Sequence, residues 1–175
     1  MSPFSGSATT RLYAAPGTWT LAAPTTAGCS VGSLGVRKVA GTIPVITAQV
    51  DVAEDGSVHS VAAVLSIDRI DTGHTKRDKD LRKRGLLDLD THPTLTFSSA
   101  QVTPGEAGWT VTGLLTAKGA TRQITVQATT SEHDDGTVGV RLTGRLDRRD
   151  YGIKAPRFLI SASVLFDIDA RFRRT

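Results

Sequence analysis

Residues 162–172 alternate without a break. Ala162, Val164, Phe166, Ile168, Ala170 and Phe172 point one way, and Ser163, Leu165, Asp167, Asp169 and Arg171 point the other. Period two sustained over more than four residues predicts a strand with one buried face. The same period recurs along the chain. Over residues 43–52, Val45, Thr47, Gln49 and Asp51 oppose Ile46, Ala48, Val50 and Val52. Residues 57–67 follow the turn signal Glu54-Asp55-Gly56. Leu95, Phe97 and Ser99 share a face, and residues 109–117 continue the pattern. Lys118-Gly119 reads as a tight turn into residues 121–129, where Ile124, Val126 and Ala128 share a face. After the turn His133-Asp134-Asp135-Gly136, Val138, Val140, Leu142, Gly144 and Leu146 alternate with Arg141, Thr143 and Arg145. Trp19 opens the first strand.

About eight strands, mostly joined by hairpins, predict an all-β, antiparallel up-and-down barrel. Such a barrel is either filled by side chains or holds one small ligand. A β-sandwich fits the alternation equally well. One segment reads as helix: residues 75–85 carry Lys, Arg, Asp and Leu with no β-branched residue after Thr75, and Gly85 can stop it. Residues 1–17, rich in Ser, Thr, Ala, Gly and Pro, read as a flexible arm, and 18–175 as one domain.

Composition excludes several classes. A single cysteine, Cys29, permits no intrachain disulfide. In its Gly/Ser/Val surroundings it reads as a small wall residue rather than a nucleophile. The first 18 residues lack a basic start and an apolar core, so no secretory signal is expected, and the cytoplasm is the expected location; a trimmed chain fits as well. No apolar run approaches the ~20 residues of a membrane span, so stable insertion is not expected. A net charge of +4, with 17 acidic residues among 21 basic ones, is too even to predict nucleic-acid binding. His59, His74, His92 and His133 have no metal-ligand spacing. No phosphate-binding, dinucleotide or nucleophile-elbow motif is present, so no cofactor, metal or catalytic residue is expected. A homodimer is left open.

Residues 66–99 read SIDRIDTGHTKRDKDLRKRGLLDLDTHPTLTFSS. This stretch resembles the signature of the YceI-like family, with Thr72, Arg77, Asp78, Leu81, Arg82, Pro93, Phe97 and Ser99 in register. Two later stretches agree in order: residues 111–121 with the family's G-x-L-T-x-x-G-x-T hairpin, and residues 147–153 (DRRDYGI) with its R-x-D-(F/Y)-G-I segment. The resemblance covers residues 18–172. It implies a lipocalin-like antiparallel barrel of eight strands, with one short helix near 75–85, that binds polyisoprenoids or other long amphiphiles. The chain also departs from the family. The histidines and aromatic that usually follow the first strand are absent from residues 24–33, Arg69 replaces the serine that opens the signature, and Asp80 stands where the helix usually carries His.

The apolar phase of the strands predicts a tube lined by Leu95, Phe97, Val111, Leu115, Ile124, Val126, Val164, Phe166 and Ile168. His74, Arg77, Asp78 and Arg82 would lie together near one helix face and form a polar mouth, with Arg77 clamping the helix and Arg82 or His74 meeting a headgroup. The expected function is a carrier for a polyisoprenoid, quinone-like or fatty-acyl ligand. The rival reading is an enzyme on the same barrel, a cyclase or isomerase working by substrate shaping.

Overall fold

The computed structural model describes residues 14–33, 37–154 and 160–175. Nine strands appear among them: β1 Gly17–Leu21, β2 Thr25–Ser33, β3 Arg37–Val52, β4 Val58–Ser66, β5 Thr94–Pro104, β6 Trp109–Ala117, β7 Ala120–Glu132, β8 Val138–Asp147 and β9 Ile160–Arg174. From β2 to β9 each strand pairs antiparallel with the next, and β9 returns to pair with β2. The sheet therefore closes on itself. β1 and β2 are two halves of one barrel strand. β1 pairs with the end of β3 and the end of β9, while β2 pairs with the other half of each. The break falls at residues 22–24, where Pro24 has no N–H to give a ladder. The result is a closed, eight-stranded antiparallel barrel. Closure leaves no sheet edge to protect, and the sandwich alternative is not what the chain forms.

The alternation holds along most strands and changes phase where the register shifts. The grouping of Ile46 with Ala48, Val50 and Val52 is wrong. Ile46 is exposed, and so is Thr47, whereas Val45 and Ala48 both pack inward. The β3–β4 register shifts between Val45 and Thr47. A bulge inserts one residue and moves the apolar phase by one position. A second shift between Ser99 and Gln101 on β5 passes the inward phase from Phe97 to Val102.

The helix α1 covers Thr75–Leu81, four residues shorter than the sequence predicts. His74 caps it, its Nδ1 accepting from the Arg77 N–H at 3.2 Å. Past Leu81 the chain tightens: the Arg82 and Lys83 N–H groups reach back three residues to the Lys79 and Asp80 carbonyls. These bonds close the last turn before Gly85 is reached. The 3-10 turns Ile67–Arg69 and Arg148–Tyr151 lie with α1 at one end of the barrel, called here the helical end. The turns at 53–57, 105–108 and 133–137 lie at the far end.

Of the N-terminal arm, residues 1–13 lie outside the described residues. The remainder is in contact with the barrel. The Ala14 N–H donates to the Gly56 carbonyl at 3.2 Å, and the Trp19 indole N–H donates to the Ala15 carbonyl at 3.0 Å. Gly17 belongs to β1, opposite Val52.

Candidate functional cavity

The inward faces do not meet in the middle. They enclose a cavity of about 830 Å³ that extends from α1 to the far-end turns. Every strand contributes to its wall. Leu95 and Phe97 reach it from β5, Val111 and Leu115 from β6, and Ile124 and Val126 from β7. Val164, Phe166 and Ile168 reach it from β9. Strand periodicity brings all nine to the same space because each sits on the inward phase of its strand.

Other wall residues carry no such signal. Leu86 and Leu87 line the cavity from the turn after α1, Tyr151 from the second 3-10 turn, and Ile153 from the residues just beyond it. They belong to irregular segments with no period to read. Trp109 opens β6 and closes the far part of the wall beside Val111, Val126 and Ala128. Cys29 lines the wall from β2 and approaches the Gly41 carbonyl at 3.5 Å. Burial pushes its thiol pKa up, which disfavours the reactive thiolate.

The four polar residues predicted at the mouth divide. His74 and Arg77 are on the cavity wall; Asp78 and Arg82 are not among the wall residues. Arg77 Nε donates to Thr72 Oγ1 at 2.8 Å, and its Nη2 donates to the Thr72 carbonyl at 2.7 Å. Asp78 accepts from the Thr72 N–H at 3.1 Å and from the Thr72 hydroxyl. Together the two side chains hold α1 to the loop that precedes it, which is bridged to β3 through Asp71 and Thr42. Arg82 turns to the surface. Its Nη2 pairs with Asp90 at 2.7 Å, and its Nη1 donates to the Asp68 carbonyl at 3.1 Å. Of the two side chains expected to meet a headgroup, Arg82 is directed to the loop and His74 is on the wall. Lys76 and Asp80, not expected at the site, are on the wall beside His74.

Two further side chains mark the helical end. Arg148, almost fully buried, donates from Nε to the Ser161 carbonyl at 3.0 Å and from Nη1 to the Ile153 carbonyl at 2.9 Å. It ties β9 to the segment that follows β8. Tyr151 is 2% exposed, and its hydroxyl has no hydrogen-bond partner among the described residues. Desolvation, reinforced by Asp150, raises its pKa, so the phenol is neutral. Among the described residues no cluster of His, Cys, Asp and Glu could hold a metal ion. Among the described residues no helix is long and apolar enough to cross a membrane.

A closed antiparallel barrel of eight strands around an apolar interior defines the lipocalin-like class. The model of the YceI-like domain matches residues 19–172, and the chain belongs to that family. A UPF0312 protein of Pseudomonas aeruginosa is 33% identical over 103 residues, covering 56% of this chain and 54% of the relative. One from Yersinia enterocolitica is 33% identical over 98 residues, covering 53% and 51%. The matched part spans about half the length of these curated relatives. Burkholderia cenocepacia BcnA superposes with a TM-score of 0.75 at 18% identity, over 84% of this chain and 95% of that one. A polyisoprenoid binding domain from Saccharophagus degradans superposes with a TM-score of 0.67 at 16% identity, over 90% and 98%. At these identities the two structures establish the fold.

Proposed function

We propose that the chain is a binding protein that holds a long apolar amphiphile, of the polyisoprenoid, quinone-like or fatty-acyl kind, along the barrel interior. The observation that carries this reading is the cavity of about 830 Å³, walled by aliphatic and aromatic side chains from every strand. Its size falls in the roughly 300–1,000 Å³ range of small-molecule sites. A well-packed core would leave few voids larger than a water molecule. Each buried CH₂ of a ligand contributes about 0.8 kcal/mol, so a long tail gains affinity from such walls with few polar contacts. The polyisoprenoid binding function given to the Saccharophagus degradans domain supports a tail of this chemistry.

Filling the cavity tests the reading. Val126→Trp and Leu115→Trp each place an indole on the mid-barrel wall. Titration with a fluorescent long-chain amphiphile should show binding at least about tenfold weaker, a loss of about 1.4 kcal/mol, with the far-ultraviolet dichroism of the parent retained. Parental affinity in both variants would place the ligand outside the barrel. Extraction of the amphiphile after incubation separates carrier from enzyme: a carrier returns it unchanged, and an enzyme returns a product.

A further inference from the structure

The two ends of the barrel carry opposite charge. At the far end, residues 51–58, 104–109 and 130–137 hold seven Asp and Glu and no Lys or Arg. Arg171, Arg173 and Arg174 near the end of β9 offset part of this. At the helical end, residues 66–94, 117–122 and 145–154 hold 13 Lys and Arg against eight Asp and Glu. Most of those eight carboxylates are already engaged. Asp78 accepts from Thr72, Asp80 pairs with Lys83, Asp90 with Arg82, and Asp147 with Arg149. Asp68 accepts from Ser66 and Asp71 from the Gly73 N–H.

The cations there are less committed. Arg69, Lys76, Lys79, Arg84 and Lys154 are exposed and make no hydrogen bond or ion pair through their side chains among the described residues. Arg84 and Lys154 belong to neighbouring segments, since the Lys154 N–H donates to the Gly85 carbonyl at 3.0 Å. Lys154 also lies near enough to Lys118 to help hold its ammonium pKa down, after desolvation. These charges stand around the part of the cavity wall formed by Lys76, Leu81, Leu86 and Leu87. Lys76 is exposed, so the cavity wall reaches the surface beside them.

We propose that the helical end is a docking face for an anionic phospholipid bilayer, on which the protein lies peripherally with its acidic end turned away. Each basic residue near an anionic bilayer adds to binding, and the attraction decays over about 8 Å at physiological ionic strength. The acidic far end is repelled by the same surface, so one orientation is selected. Nucleic acid is the other polyanion such a face could meet. The bilayer is favoured because the cations surround an apolar cavity, and an amphiphile with a long tail resides in a membrane. The anionic partner is read from charge, and its assignment to a bilayer rests on the proposed function, which also supplies its purpose: uptake and release of the ligand at the bilayer.

The test uses the full chain with vesicles of phosphatidylcholine alone and of phosphatidylcholine mixed with phosphatidylglycerol, read by co-sedimentation. A triple variant carries Lys79→Glu, Arg84→Glu and Lys154→Glu, none of which is on the cavity wall. The parent should prefer the anionic vesicles by at least about tenfold and lose them as salt rises. The triple variant should bind them about a hundredfold more weakly. A far-end variant, Glu54→Gln with Glu106→Gln and Asp134→Asn, should bind like the parent. Equal binding to both vesicle types, or parental binding by the triple variant, would overturn the proposal. So would a DNA duplex bound more tightly than the vesicles and lost in the same triple variant. The amphiphile titration, run without vesicles, reports separately on the cavity and should be unchanged in the triple variant.

Discussion

The ring of Phe166 on β9 occupies the space above Gly144, its partner on β8: a Cβ at Gly144 would stand within 3.0 Å of three ring atoms. Phe97 covers Gly113 on the neighbouring strand in the same way. Both rings line the cavity. Each therefore lies over a bare stretch of backbone, which is how large aromatic side chains and an open interior coexist in one barrel.

Gly144→Ala should destabilise the protein by about 1–3 kcal/mol, the usual cost of overpacking a fitted site. Pairing it with Phe166→Leu should recover part of the loss, because residues in contact are not additive. Chemical denaturation of the two single variants and the double variant measures the coupling. Strict additivity would show that the ring does not depend on the glycine.

Arg77 and Arg82 should separate cleanly. Arg77 makes two charge-assisted bonds to Thr72 in a half-buried setting. Such bonds contribute about 1.5–3 kcal/mol, so Arg77→Ala should lower the melting temperature by several degrees. It should also weaken amphiphile binding, since Arg77 is on the cavity wall. Arg82 pairs with the exposed Asp90, and an ion pair in that setting is worth about 0–1 kcal/mol. Arg82→Ala should melt near the parent and bind like it. A large loss of binding in Arg82→Ala would return that arginine to the mouth.

Tyr151→Phe should raise stability. A buried hydroxyl without a partner costs about 1–3 kcal/mol, and the phenylalanine ring keeps the packing against Leu115 and Ala117. Thermal unfolding should shift upward by a few degrees. A downward shift would mean that the hydroxyl is satisfied in solution, and that its partner matters to the fold.

Much of the barrel was legible because sheet geometry writes itself as period two. The nine wall residues from β5, β6, β7 and β9 follow that rule. Ile46 breaks it, since a bulge shifts the phase and leaves no mark in composition. Leu86, Leu87 and Tyr151 line the cavity from irregular segments, where spacing carries no direction. The pairing of Arg82 with Asp90 depends on how the chain turns after Leu81, which propensity does not encode: Gly85 reads as the helix stop, but backbone bonds close the helix earlier. The opposite charge of the two ends was hidden for another reason. The acidic turns are scattered in sequence and come together only when every second hairpin lands at the same end.

Cys29 should report on occupancy. Burial holds its thiol pKa above the ordinary value, and the thiolate is the reactive form. Labelling by a small maleimide near neutral pH should therefore be slower than in the unfolded chain. The rate should keep rising with pH beyond the point where a free thiol levels off. Because Cys29 is on the cavity wall, a bound amphiphile should slow labelling further. Equal rates with and without the amphiphile would place the ligand away from β2.

Native mass spectrometry of freshly purified protein reads out whether the barrel interior holds a long apolar molecule. The expected spectrum shows a complex whose excess mass is released as an intact amphiphile on denaturation, and whose population falls in Val126→Trp. Ligand-free protein that also fails to take up any polyisoprenoid, quinone or fatty-acyl amphiphile offered to it would leave the barrel without a carrier function.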